Sequence, residues 1–318
     1  MTYAIYGEIH FPATDRRGAL LIRKFSELKI ESSWKSLTDM AEITLPRNVR
    51  DIDRYHVSDV FHEGDPVRIL FGYDGNLVEE FTGYISQVPA GIPLVIKCED
   101  EMYKLKRQSA SVSLKNASLK SLLKAIAPDY EIACDETTTL GSIRYEKQAV
   151  SQILEDLKKQ GIYTWFEGKT LHAFTLSNSN IEPVKVVLEK TAGESLNQKA
   201  IEEVLVVIRL LRKVGKALKV EWGEKASGKH IKREYSGISM TENEMLAEAK
   251  KIYNQAKQPG LDGDVTLFGI PSVKHGYRID LKSVLYPEKD GRYFIDSVSK
   301  TVGKDGIRQV CKLGMKAT

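Results

Sequence analysis

The stretch from Gly64 to Arg107 constrains the fold most, because its apolar residues alternate through three successive runs. Val67, Ile69 and Phe71 alternate with Arg68 and Leu70. Phe81, Gly83 and Ile85 follow the turn signal Asp74-Gly75-Asn76, and Leu94, Ile96 and Cys98 follow a second turn at Pro89-Ala90-Gly91. Alternation at period two puts each set on one face of a strand. Runs bounded by Gly, Asn and Pro make an antiparallel meander.

The same layout recurs from Gly276 to Gly314. Gly64 to Phe81 is 17 positions and Gly276 to Phe294 is 18; Phe81 to Cys98 and Phe294 to Cys311 are both 17. Each stretch has a Gly before its first strand and a short turn before its third. Identities are few, so coincidence competes with duplication. The shared layout points to an internal duplication of one strand arrangement.

A chain of 318 residues has room for two to four domains, and 42% hydrophobic with 28% charged residues is ordinary for a globular protein. No run approaches the ~18 apolar residues of a membrane helix, so no membrane insertion is expected. The start, MTYAIYGEIHFPATDRR, lacks the basic and apolar regions of a secretory signal. Cys98, Cys134 and Cys311 are odd in number and widely spaced, which reads as reduced thiols rather than a disulfide frame. The six histidines form no HxxxH or HExxH pair, so no metal and no cofactor is expected.

Charge is uneven. Residues 209–234 hold nine Lys/Arg against three acids, a local +6 in a chain whose net charge is +4. One reading is a solvated hairpin with basic outer positions. The other is a docking surface for an acidic partner or for nucleic acid, with Lys213, Lys216, Lys219, Lys225, Lys229, Lys232 and Arg233 as candidate contacts. Aromatic interleaving is confined to Trp222 and Tyr235, a weak platform for stacking single strands.

Along the chain, residues 1–63 read as strands and loops, with Ala41, Ile43 and Leu45 on one face before Pro46 and Trp34 as a core anchor. Glu99-Asp100-Glu101 sits at a strand-to-helix junction, where acids complement a helix start rather than pair for acid–base chemistry. Residues 118–127 form a short amphipathic helix stopped by Pro128. Residues 149–161 form a second helix, with Val150, Ile153, Leu154 and Leu157 on one face and Gly161 at its C-cap. A hairpin follows, turned at Glu167-Gly168-Lys169. The β-branched run 203–212 favours strand. Thr241 with Glu244 announces a capping box opening a helix that Pro259-Gly260 ends.

These segments, in this order, resemble the late control protein D family of phage tail (baseplate) hub proteins, similar in fold to the N-terminal hub part of type VI secretion VgrG spike proteins. The resemblance rests on Trp34-Lys35-Ser36-Leu37 with Ile43-Thr44-Leu45-Pro46, Gly64-Asp65-Pro66-Val67 with Phe81-Thr82-Gly83-Tyr84-Ile85, and Cys98-Glu99-Asp100. It continues through Val150 to Leu157, Gly161 to Phe166, the helix from Thr241 to Tyr253, Asp264 to Pro271, and Gly291 to Val298. It implies a mainly β chain with an α+β insert. Two similar antiparallel β-barrel tube domains would occupy 1–105 and 186–238 with 264–318, beside a small α+β domain at 106–185 and a helical insertion at 239–263. It implies a homotrimer whose six similar barrels join a sixfold tail tube protein to a threefold spike protein, around a channel where DNA passes. The location implied is the virion tail or an injection-machine baseplate, assembled in the bacterial cytoplasm. The chain ends at Thr318 with no oligonucleotide-fold, β-helix or lysozyme-like segment after the second meander, so the spike is expected as a separate chain.

An enzyme is disfavoured. Asp135-Glu136 and Asp262/Asp264 read as loop solvation, and GxSxG, P-loop and GxGxxG segments are lacking. The competing functions are a nucleic-acid-binding β-barrel module using 209–234 and, behind it, a tail-associated cell-wall hydrolase.

Overall fold

The computed structural model describes residues 4–46, 57–199, 203–211, 216–226, 228–236, 240–258 and 260–317. Contacts divide it into two units. Unit 1 comprises 1–104, 177–197 and 262–318, and unit 2 comprises 105–176 and 198–261.

Unit 1 begins with β1 (Ile5–Phe11), β2 (Leu20–Ile22), β3 (Glu27–Ser33) and β4 (Met40–Leu45). A helical turn, α1 (Val57–Val60), precedes the first meander, β5 (Pro66–Tyr73), β6 (Asn76–Gln87) and β7 (Leu94–Glu99). Asp74 and Gly75 both have positive φ, 51° and 82°, as a two-residue hairpin of this hand requires. After β7, Asp100 accepts from the Met102 amide at the start of α2 (Met102–Leu105), and Glu101 accepts from the Tyr84 hydroxyl.

Unit 2 opens with β8 (Ser109–Ser118), α3 (Leu119–Ile126), β9 (Glu131–Cys134) and β10 (Thr139–Ala149). The first helix is capped by Ser118, whose hydroxyl accepts from the Ser121 amide, and buries Leu119, Leu122, Leu123 and Ile126. Next come α4 (Val150–Lys159), β11 (Tyr163–Glu167) and β12 (Thr170–Phe174). Gly161 ends α4 at φ +84°, a conformation that disfavours any residue with a Cβ. The chain re-enters unit 1 for β13 (Val184–Val187) and β14 (Gly193–Glu194), then makes the short β15 (Asn197–Gln198). In unit 2, β16 (Val204–Leu211), β17 (Leu218–Gly223) and β18 (Lys229–Ser236) precede α5 (Glu242–Ala256). Both halves of the capping box at Thr241 and Glu244 are formed, and Met245, Ala249 and Ile252 are buried. After the short β19 (Leu261–Asp262), unit 1 is completed by β20 (Asp264–Phe268), β21 (Arg278–Lys282), β22 (Gly291–Gly303) and β23 (Gly306–Lys316).

Unit 1 contains one 13-stranded sheet, ordered β14-β20-β23-β22-β3-β4-β7-β6-β5-β1-β2, with β21 beside β22 and β13 beside β21. Both meanders lie in it, and the duplication is written in its hydrogen bonds. Ser26 N donates to Thr44 O at 2.8 Å, and Ala192 N to Thr266 O at 2.9 Å. Gly64 N donates to Ile85 O and Gly276 N to Ile295 O, both at 2.8 Å; Ile85 N to Asp65 O and Ile295 N to Tyr277 O follow, both at 2.9 Å. Each copy skips one residue at the same place: Ser86 between Ile85 and Gln87, Asp296 between Ile295 and Ser297. So β3, β4, β5, β6 and β7 correspond to β14, β20, β21, β22 and β23.

This register corrects the spacing-based match. Ile85 corresponds to Ile295. Cys98, opposite Ile85, corresponds to Leu313, while Cys311 corresponds to Ile96. Counting from the leading glycine failed because the first hairpin is rebuilt: Gly64 to Ile85 is 21 positions, whereas shorter strands around the connection 283–290 bring Ile295 only 19 positions after Gly276. The sheet is open, ending at β14 and β2, and no closed barrel is present among the described residues.

Strands β16–β18, grouped from sequence with the second meander, instead form a separate three-stranded sheet, with β18 parallel to β16. Residues Val204 to Ile208 are all buried, and α5 packs against the face made by Val204, Val206, Ile208 and Leu210. The β8·β10 ladder was not visible in the sequence: Ser109–Ser118 is small and polar, and it buries only Val112 and Ala117.

Candidate interaction surfaces

The basic stretch does not form one patch. Lys213 lies outside the described residues. Lys216 is exposed ahead of β17, and Lys225 and Lys229 are exposed where β17 passes to β18. On the sheet face away from α5, one row reads Lys219, Arg209, Glu234 and the next Glu221, Val207, Lys232. Lys219 pairs with Glu221. Cations and anions therefore interleave across this face. Arg233 points the other way: its guanidinium lies so close to Gly161 that a Cβ there would be 2.8 Å from Nε. A cation at the C-terminal end of α4 complements that helix, so Arg233 has a structural role. Glu224, just before Lys225, is also tied down. It accepts from Tyr253 Oη at 2.6 Å, Lys257 Nζ at 2.9 Å and Val204 N at 3.1 Å, which holds its carboxyl down at about 2.

Two of the carboxylates considered for chemistry have local partners. Asp135 accepts from the amide and hydroxyl of Thr137, and Glu136 pairs with Lys120. No cluster of three or more His, Cys, Asp or Glu side chains able to hold a metal ion occurs among the described residues. Burial pushes the Cys311 thiol up to about 12 and the Cys98 thiol higher still, so neither is a poised nucleophile.

The large sheet of unit 1 has a core face and a polar face. Where β22 meets β3 the two copies join, with Ser297 opposite Ser33 and Val302 opposite Leu28. On the core side, Val302 and Ile307 enter the cluster built on Leu28, Ile43 and Ile69. Lys300 is buried there, its Nζ 2.5 Å from Glu80 of β6 and 2.8 Å from Ser272 Oγ. Gln309 donates to the carbonyls of Phe268 and Pro271 and accepts from the Val273 amide. Asp296, the skipped residue, clasps the turn after β3: Trp34 Nε1 donates to it at 3.3 Å and Lys35 Nζ at 2.5 Å. Trp34 is 4% exposed, an anchor at the joint between copies.

The polar face runs across both copies in rows. One is Arg308, Thr301, Lys29, Glu42, Lys97; another is Val310, Ser299, Glu31, Met40, Glu99; a third is Asp264, Lys312, Ser297, Ser33. Four cations face four carboxylates, so the face is wet and nearly neutral. A third surface was missed from sequence. Between β21 and β22, Val284 and Leu285 are 81% and 69% exposed. Their amides donate to the Glu189 carboxylate, as does the Ser283 hydroxyl, and these bonds hold that carboxyl down at about 2. The signal was present as three apolar residues between Ser283 and Pro287, but it reads equally as strand.

No protein-family model and no curated protein sequence matches the chain. Solved structures do. A tail protein from Neisseria meningitidis aligns over 98% of this chain and 96% of its own, with a TM-score of 0.70 at 16% identity. A 43 kDa tail protein of a Shewanella oneidensis prophage aligns over 97% and 98%, with a TM-score of 0.66 at 14% identity. An Escherichia coli component of the type VI secretion system aligns over 93% and 74%, with a TM-score of 0.58 at 10% identity. Over nearly its whole length, the chain therefore has the fold of phage tail proteins and of a type VI secretion component.

Proposed function

We propose that this chain is a structural hub of a phage tail or related injection machine. Three copies close into a ring of six similar half-sheets that joins a sixfold tail tube protein to a threefold spike protein. The observation that carries the reading is the duplication in unit 1, where two copies of one strand arrangement share the same backbone hydrogen bonds and the same skipped residue. Two quasi-equivalent copies per chain, repeated by a threefold axis, give a sixfold pattern of contacts on a threefold object. The shared fold with tail proteins of Neisseria and Shewanella supports the same role.

On this reading the half-sheets become the two tube domains only in the assembled ring, and the polar face with its balanced charges turns to the channel. A wall of mixed charge lets DNA pass without holding it, since tight nucleic-acid binding needs an excess of cations. The role is one of shape and symmetry, not catalysis, and its location is the virion tail or baseplate.

The test is the mass of the purified protein, alone and with the spike protein it assembles with. Three chains of 35.8 kDa give about 107 kDa, and negative-stain images then show a hollow ring with a sixfold outline. A monomer in both states, with no spike binding, refutes the reading.

A further inference from the structure

The two copies in unit 1 differ at one joint. In the second copy, β22 continues past Ile295, and its edge from Ser297 to Val302 is covered by β3. In the first copy, β6 runs past the equivalent Ile85 only to Gln87, and the edge that follows is unpaired among the described residues. Beside that edge lies a groove of about 670 Å³ lined by Phe61, His62, Val88, Pro89, Ala90 and Leu94. Ile92, in the chain between the lining residues Gly91 and Leu94, is 75% exposed. At the corresponding place in the second copy, a strand is seated.

The matching half lies at the other end of the sheet. The counterpart of β3 is β14, which is the sheet's last strand. Gly193 and Glu194 are exposed in it, as are Ser195 and Asn197 where the chain continues into β15. Each chain thus holds one completed joint, β22 with β3, and the two separate halves of a second.

We infer that the groove beside residues 88–91 receives the edge strand at 193–197 of a second copy of this chain. The inference rests on the ring reading and names its subunit joint. The contact is heterologous, so repeating it around an axis closes a ring. Transferring the register of the intrachain joint, where Ser299 faces Glu31, places Pro89 of one chain opposite Asn197 of the next. Pro89 has no N–H to give to the ladder, and proline blunts an exposed strand edge. The joint is therefore weaker than its intrachain counterpart, and a lone chain does not recruit strands at random.

The test is a paired-cysteine experiment on the full chain, with Cys134→Ser to remove the one native thiol that is not fully buried. Pro89→Cys with Asn197→Cys puts two thiols on facing strands, within the ~4.4–6.8 Å Cα separation a disulfide spans. Mild oxidation is expected to give covalent dimers and trimers. Each single variant, and the control pair Pro89→Cys with Lys304→Cys, is expected to stay uncrosslinked. A second variant, Ala90→Trp, fills the groove and is expected to weaken trimer assembly at least tenfold with melting unchanged. A protein that is trimeric by mass yet gives no crosslink, and assembles normally as Ala90→Trp, overturns the joint and leaves the ring standing. A protein that is monomeric at every concentration, alone and with its spike, and never crosslinks overturns both.

Discussion

Lys300 and Glu80 offer the sharpest test of how the two copies are held together. Their side chains are 4% and 3% exposed, and Nζ lies 2.5 Å from Oε2. Lys300 sits on β22 opposite Ile30 of the joint, while Glu80 comes from β6 of the first copy. Lys300→Met removes the cation and strands a buried carboxylate. Breaking a buried pair in this way costs about 3–5 kcal/mol. For a unit of this size, each kcal/mol lowers Tm by roughly 2–4 °C, so a drop of about 6–20 °C is expected. Exchanging both partners, Lys300→Met with Glu80→Leu, leaves no buried charge and strands only the Ser272 hydroxyl, a loss of about 1 kcal/mol. The double variant should therefore recover most of the stability lost by the single one. Calorimetry and urea titration of the four proteins close the cycle. If Lys300→Met loses under about 1 kcal/mol, water reaches the pair and the buried clasp is refuted. If the double variant is as unstable as Lys300→Met, the cost is lost packing, and the electrostatic argument fails.

Gly83→Ala should prevent the first meander from forming, because a Cβ at Gly83 would overlap the Glu99 carbonyl oxygen; soluble, native-like protein by circular dichroism would contradict this. Gly75→Ala, where φ is +82° but nothing lies within 4 Å, should cost only about 1–2 kcal/mol in the same assay. The Glu189 carboxyl is held at about 2, below its ordinary 4.5, so its hold on residues 283–285 is fully present above pH ~4.5 and is lost as pH falls towards ~2. Protection of the Val284 and Leu285 amides, read as exchange relative to the unstructured rate at each pH, should fall through that window, and in Glu189→Gln it should be low at every pH. DNA binding at 0.15 M salt should be no tighter than the ~10⁻⁴–10⁻⁶ M of nonspecific binding; a nanomolar Kd with a steep salt slope would restore the nucleic-acid reading of residues 209–234.

Local rules made much of this fold legible. The capping box at Thr241, the apolar faces of α3 and α4, the Asp74-Gly75 turn and both meanders followed from period, caps and turn chemistry over short spans. What escaped depends on long-range pairing. β8 and β10 carry few apolar residues, because each packs only part of one face. β18 reads as the return strand of a hairpin, yet it lies parallel on the far side of β16. The basic stretch looked like a surface because charge counts carry no direction. In the sheet, Arg233 turns towards α4 while Lys219 and Lys232 alternate with Glu221 and Glu234. The repeat itself was legible, but its register was not. Two cysteines at equal spacing drew the match, whereas the equivalent positions are those that share a skipped residue.

Where the two copies agree and where they part carries a consequence for assembly. They agree in the sheet: Glu42-Ile43-Thr44-Leu45 on β4 matches Asp264-Val265-Thr266-Leu267 on β20, opposite Lys97 and Lys312 respectively at the first position. They part at the hairpin ends. The two-residue turn at Asp74-Gly75 corresponds to the long connection carrying Val284 and Leu285, and the short loop at 88–93 corresponds to the extended hairpin at 298–308. Sheet residues set how neighbouring copies pair edge to edge, whereas hairpin ends meet whatever lies above or below. If three chains form the proposed ring, it repeats six times in its wall and three times at its rims. The apolar tip at 284–285, fixed by Glu189, would then occur three times on one rim. Val284→Asp with Leu285→Asp should leave ring mass and melting unchanged and abolish capture of one axial partner, tube or spike. Unchanged binding of both would assign that tip to neither.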